Sequence, residues 1–117
     1  MKRLVLGVLF AFSGFTSTAW SQAFNCDFAK APDELTICRD ASLGALDEQM
    51  SENFYKIRQQ LPPAGLRELK SGQADFMKRR NFCGTDGDCI AGMYAERIET
   101  LCTLAADYGV ACPQAPQ

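Results

Sequence analysis

Three observations in the sequence predict an all-α fold, a small disulfide-stapled bundle of three long helices plus one short N-terminal helix. Apolar residues recur at steps of three and four over long stretches, the signature of a helix with one buried face. Proline, aspartate and glycine punctuate these stretches where helices start and stop. No segment sustains the alternation of a strand.

Residues 1–23 stand apart from the rest. Lys2 and Arg3 precede an apolar run from Leu4 to about Phe15, and Ser21 and Ala23 occupy the minus-three and minus-one positions of a small-residue cleavage site. This is the pattern of a secretory signal peptide, and its apolar run is too short to span about 30 Å of hydrocarbon. Cleavage after Ala23 leaves one domain, residues 24–117, with no integral membrane segment expected in it.

The elements follow in order. Pro32 suits the first position of a short helix, and Asp33 and Glu34 suit the positive end of its dipole. Asp40 is placed to cap a second helix. Along that helix Leu43, Leu46, Met50, Phe54, Ile57 and Leu61 form one apolar stripe, which Pro62 and Pro63 close. Leu66, Leu69, Gln73, Phe76, Met77 and Arg80 trace the inner face of a third helix. A fourth is expected from about Cys89 to Tyr108, with Ile90, Met93, Tyr94, Ile98, Leu101, Leu104 and Ala105 inward and Gly109 as its stop. The residues beyond are expected to form a short disordered tail.

Charge narrows the partners. All fourteen acidic residues but only ten of the twelve basic ones lie beyond Ala23, so the mature chain carries −4. Nucleic acid is not an expected partner, since phosphate binding needs a basic face. A basic protein would be steered favourably.

All six cysteines, Cys26, Cys38, Cys83, Cys89, Cys102 and Cys112, also lie in the mature part. An even count in a small exported chain reads as a disulfide framework. Fifteen connectivities are open to six cysteines. Local pairing, 26 with 38, 83 with 89 and 102 with 112, is favoured because each pair brackets a turn or a helix end.

The stretch NFCGTDGDCI, beginning at Asn81, is the densest in chemistry. As a calcium loop it lacks the ladder of oxygen ligands, and Arg97 stands at the twelfth position where a glutamate is needed. Zinc lacks a second ligand pair, and the protein has no histidine. Redox motifs want two residues between the cysteines, and here there are five. A clamp needs only what is present: Gly84 and Gly87 for a tight turn, Asp86 or Asp88 to cap the fourth helix, and a closing Cys83–Cys89 bridge. No metal and no cofactor are expected.

Candidates for catalysis are few. Without histidine there is no Ser-His or Cys-His pair. Glu48, Glu52, Glu68 and Glu99 read as solvated helix faces. Asp47 sits beside the apolar stripe and is expected to be buried against Arg80 or Arg97, since buried charges are usually paired. In the basic run Lys78-Arg79-Arg80, Arg80 is expected to turn inward while its neighbours face water.

Cys26, Ala29, Glu34, Ile37, Cys38, Leu43, Leu46 and Asp47 match the pattern C-x2-A-x4-E-x2-I-C-x4-L-x2-LD, and Gln73, Arg80, Cys83, Cys89, Tyr94, Arg97 and Leu101 match a second one, Q-x2-W-x3-R-D-x-C then C-x4-Y-x2-R-x3-L. The chain thereby resembles the lysozyme inhibitor LprI-like N-terminal domain family over most of its mature length. It departs at Phe76, where a tryptophan is usual, at Asn81, where an aspartate is usual, and at Phe54, where a tyrosine is common. Cys102 and Cys112 lie outside the pattern and look like an added staple. The resemblance implies an exported, periplasmic or secreted helical domain. It implies lysozyme inhibition by protein–protein contact, with Asp47, Gln73, Arg80 and Arg97 as a structural polar network rather than a reacting centre.

Two roles remain for the segment 84–88. Thr85, Asp86 and Asp88 can meet the basic rim of a lysozyme or another basic protein, or they can simply make a turn and cap a helix. Beside the expectation of a lysozyme inhibitor stands that of a non-enzymatic envelope or stress-related protein with another protein partner.

Overall fold

The structure, a computed structural model, describes residues 24–113. The expected signal peptide, residues 1–23, and the end of the expected tail, residues 114–117, lie outside the described residues. A 3-10 turn, Cys26–Phe28, leads into α1 (Pro32–Arg39), α2 (Ala41–Arg58), α3 (Pro63–Phe82) and α4 (Gly87–Asp107), with no strand among the described residues. The all-α, disulfide-stapled bundle is therefore as expected. None of these helices is long and apolar enough to cross a membrane.

Local chemistry sets the boundaries. Glu34 folds back so that its carboxylate accepts from the backbone N–H of Lys30 at 3.1 Å and of Ala31 at 3.3 Å, holding the start of α1. Asp40 caps α2, its Oδ1 accepting from the N–H groups of Ser42 (2.9 Å) and Leu43 (3.2 Å). Pro63 opens α3 as its first residue, where a missing N–H costs nothing. At the end of α4, Gly109 takes a positive φ of 71°. The Val110 N–H then returns to the Ala105 carbonyl at 2.8 Å and the Gly109 N–H to that of Ala106 at 3.1 Å. That pair of bonds satisfies carbonyls the helix leaves open.

One core holds the bundle. α4 lies at its centre, packed chiefly against α2 and α3, while α1 touches all three of the other helices. Ile37, Leu43, Met50, Ile57, Leu69, Phe76, Ile90, Tyr94, Ile98 and Leu101 fill it. The rings of Phe76 and Tyr94 meet with centroids 5.2 Å apart.

Packing corrects the expected stripes in detail. On α2, Leu46 and Phe54 lie on the flank, and the buried seam takes in Gly44, Asp47 and Asn53. On α3, Met77 faces solvent, 42% exposed, and Leu66 is only half-buried; the inner line is Gly65, Leu69, Phe76 and Arg80. Phe76 and Met77 are adjacent, so about 100° of helix separates them and only one can point at α4.

Three bridges staple the bundle, and each is a local pair. Cys26–Cys38 ties the entry turn to the end of α1, Cys83–Cys89 joins the ends of α3 and α4, and Cys102–Cys112 folds the last segment back on α4. Their Cα separations of 5.9, 5.5 and 5.1 Å lie within disulfide reach.

Candidate functional site: a clamped acidic turn over a buried ionic network

Cys83 ends α3, and Gly84 turns the chain with φ +60°, a conformation that suits a residue without Cβ. The Asp86 N–H donates to the Cys83 carbonyl at 3.0 Å, closing the turn. Of the two aspartates offered as caps, Asp86 does the work: its Oδ1 accepts from the Cys89 N–H at 3.1 Å. The disulfide then locks the same two ends together. Thr85, Asp86 and Asp88 are all exposed, so the predicted partner-binding residues stand on one rigid surface turn. Among the described residues no group of three or more potential ligands could hold a metal ion.

Beside this turn stands Phe82, 89% exposed, a residue that the sequence reading did not single out. The signal was present. Phe82 is two positions past the inward Arg80, about 200° around the helix, so it must face outward. Phe82 is the most exposed of the large apolar side chains among the described residues, ahead of Phe28 at 75%.

Beside the turn lies a network to which all four helices contribute side chains. Arg80 of α3 donates through Nε to Asp33 Oδ2 of α1 at 2.7 Å and through Nη1 to the Tyr94 hydroxyl of α4 at 3.2 Å. Tyr94 donates in turn to Asp47 Oδ1 of α2 at 2.7 Å. Asn81 adds a longer bond to the other Asp33 oxygen, 3.4 Å. The rings of Phe24 and Phe76 flank the Arg80 guanidinium, with centroids 5.7 and 5.9 Å away. Asp33, Asp47, Arg80 and Tyr94 are no more than 3% exposed.

The environment fixes the protonation of this network. Burial and the neighbouring Asp47 carboxylate raise the Tyr94 phenol well above its ordinary value. Burial works against the Arg80 charge, but Tyr94 and Asp33 outweigh it and raise its pKa. With two carboxylates, a guanidinium and a neutral phenol engaged with one another and closed off from water, the arrangement can crosslink helices. It offers no group poised to exchange protons with a substrate.

The expected network of Asp47, Gln73, Arg80 and Arg97 thus divides in two. Asp47 is buried, as expected, but it reaches Arg80 through Tyr94, and the carboxylate against the Arg80 Nε is that of Asp33. Arg97 belongs to a second cluster. Its Nε donates to Gln73 Oε1 at 3.0 Å, its Nη2 to the Leu69 carbonyl at 3.1 Å and its Nη1 to the Thr100 hydroxyl at 3.5 Å. Gln73 and Arg80 share a face of α3 but stand seven residues apart, about 10 Å along the axis. The two clusters therefore meet different levels of α2 and α4: Asp47 and Tyr94 above, Met50 and Arg97 below.

Comparison with family models, with characterised proteins and with solved structures returns no match.

Proposed function

We propose that the mature chain is an exported, non-catalytic binding protein of the LprI-like kind, which inhibits a lysozyme-type muramidase by direct contact through the turn at residues 84–88. The observation that carries this reading is the turn itself. It presents Asp86 and Asp88 at the surface beside the exposed Phe82, on backbone already fixed by a disulfide. A surface ordered before binding loses little freedom on contact, and an aromatic ring beside charged groups is the kind of anchor on which interfaces depend. Lysozymes of the c type are basic and carry a carboxylate pair in an open groove; the mature charge of −4 favours their approach. Three disulfides suit an oxidising compartment.

The double substitution Asp86→Asn, Asp88→Asn tests the contact. Asparagine still caps a helix, so the fold survives while both charges are lost. Inhibition is expected to weaken about tenfold, equivalent to about 1.4 kcal/mol, and its dependence on salt to shrink. Unchanged inhibition at every salt concentration would remove the turn from the interface and leave it as a helix cap alone.

A further inference from the structure

We propose that the cleft between α3 and α4 binds a small carboxylate carried on an apolar body, with Arg97 as the cation that receives it. The inference is independent of the lysozyme reading.

The cleft has a volume of about 190 Å³, more than the about 150 Å³ that accommodates a benzene molecule. Phe76 and Met93 give it apolar walls, Gly72 and Arg97 lie at its base, and Arg79 and Glu96 stand at its rim. The three arginines of this region differ in their counter-charges. Arg80 has Asp33 at 2.7 Å, and Arg79 has Glu96 at 2.7 Å and Asp75 at 3.6 Å. Arg97 has no carboxylate at salt-bridge distance among the described residues, although it is only 7% exposed.

Its contacts are the Gln73 amide, the Leu69 carbonyl and the Thr100 hydroxyl, all neutral. They engage three of its five N–H donors and fix the plane of the guanidinium without cancelling its charge. Burial lowers its pKa to about 10 against the opposing pull of Asp75, so it remains a cation at neutral pH. Position 72 must be glycine for this placement, since a Cβ there would stand 2.6 Å from Nη1. A buried cation whose direct contacts are all neutral, in the base of a cleft with apolar walls and with only the more distant Asp75 to favour its charge, has room for a direct anionic partner. The guanidinium fork matches a carboxylate. Asp75 and Glu96 at the rim disfavour a multiply charged anion such as phosphate, and Phe76 and Met93 favour an apolar body behind the charge.

Titration of the 15N-labelled oxidised protein with 4-methylpentanoate, followed through the Arg97 Nε–H and the Gly72 and Thr100 amides, tests the site. Two controls accompany it: the isosteric neutral 4-methylpentanamide and inorganic phosphate. Saturable millimolar shifts at these three groups are expected with the carboxylate, and binding about tenfold weaker or worse with the amide and with phosphate. Because Arg97→Gln can unfold the bundle, the variant used is Met93→Glu, which places a negative charge on the half-buried wall and leaves the partners of Arg97 intact. It is expected to reduce carboxylate binding by about tenfold or more. Absence of saturable shifts, shifts confined to other residues, equal binding of amide or phosphate, or full binding by a folded Met93→Glu protein would each overturn the proposal.

Discussion

Asp33 and Arg80 form an ion pair sealed from water, at 1% and 4% side-chain exposure, so removing one partner leaves a naked charge in the core. Asp33→Asn is expected to cost about 3–5 kcal/mol, read as a large fall in melting temperature; a melt within a degree of the parent would show that Arg80 finds its counter-charge elsewhere. Tyr94 predicts a pH dependence. The unfolded chain releases this proton near pH 10, whereas the folded chain holds it to higher pH. Above about pH 10 the unfolded state therefore binds fewer protons, and stability from this group is complete below that pH and declines as pH rises beyond it. Arg97 acts in the opposite sense: its folded value is lowered to about 10, so above that pH the unfolded state holds more protons and stability from this group rises with pH. The test is thus a difference. In urea melts, the stability gap between parent and Tyr94→Phe is expected to be constant below about pH 10 and to shrink above it; a gap independent of pH would mean that Tyr94 ionises alike in both states. At this scale the burial of Asp47 and Arg80 was legible, because each lies on or beside an apolar stripe. Asp33 was not, because an acid in the first turn of α1 is already explained by the helix dipole. What betrays it is Ile37, one turn on and on the same face, buried with it.

Helix ends were read well, since caps are local chemistry. Asp40 and Gly109 act where the sequence places them, and Asp86 is the one of its two candidate caps that acts; Pro63, expected to close α2, instead opens α3, since α2 already ends at Arg58. Helix faces were read less well. A periodic stripe gives an arc of the helix, and which residues sit at its centre is decided by the partner helix. Tyr94 draws Asp47 to the centre of the α2 seam at 2.7 Å, and Leu46 moves to its flank. The same limit applies to Phe82, which lies off the α3 stripe, about 200° from Arg80, and is therefore exposed. The element most open to test is the junction of α3 and α4. Asp86→Ala is expected to cost about 0.5–2 kcal/mol and Asp86→Asn almost nothing, because only alanine lacks an oxygen to accept from the Cys89 N–H. Equal costs in chemical denaturation would mean that charge, and not the cap, is what Asp86 supplies to the fold.

The whole molecule is a small bundle that secures itself twice, once by short-loop disulfides worth roughly 2–3 kcal/mol each and once by a four-helix ionic network. The Cys83–Cys89 bridge and the network meet at the same end of the bundle. Arg80 enters the network from the last turn of α3, and three residues further on Cys83 begins the clamp. The consequence is a surface turn with a rigid foundation, and the proposed contact rests on that foundation together with the exposed acids and the ring of Phe82. Composition made the bundle and the bridges readable from sequence; it could not say which surface is used, because an acidic turn that caps a helix and one that also meets a partner have the same residues. The decisive measurement is the rate at which a basic c-type lysozyme clears a bacterial suspension, titrated with the oxidised mature protein whose fold has been verified by circular dichroism. The account predicts a saturable loss of lysis that reaches its limit near one equivalent, and undiminished lysis in the presence of excess folded protein would contradict it.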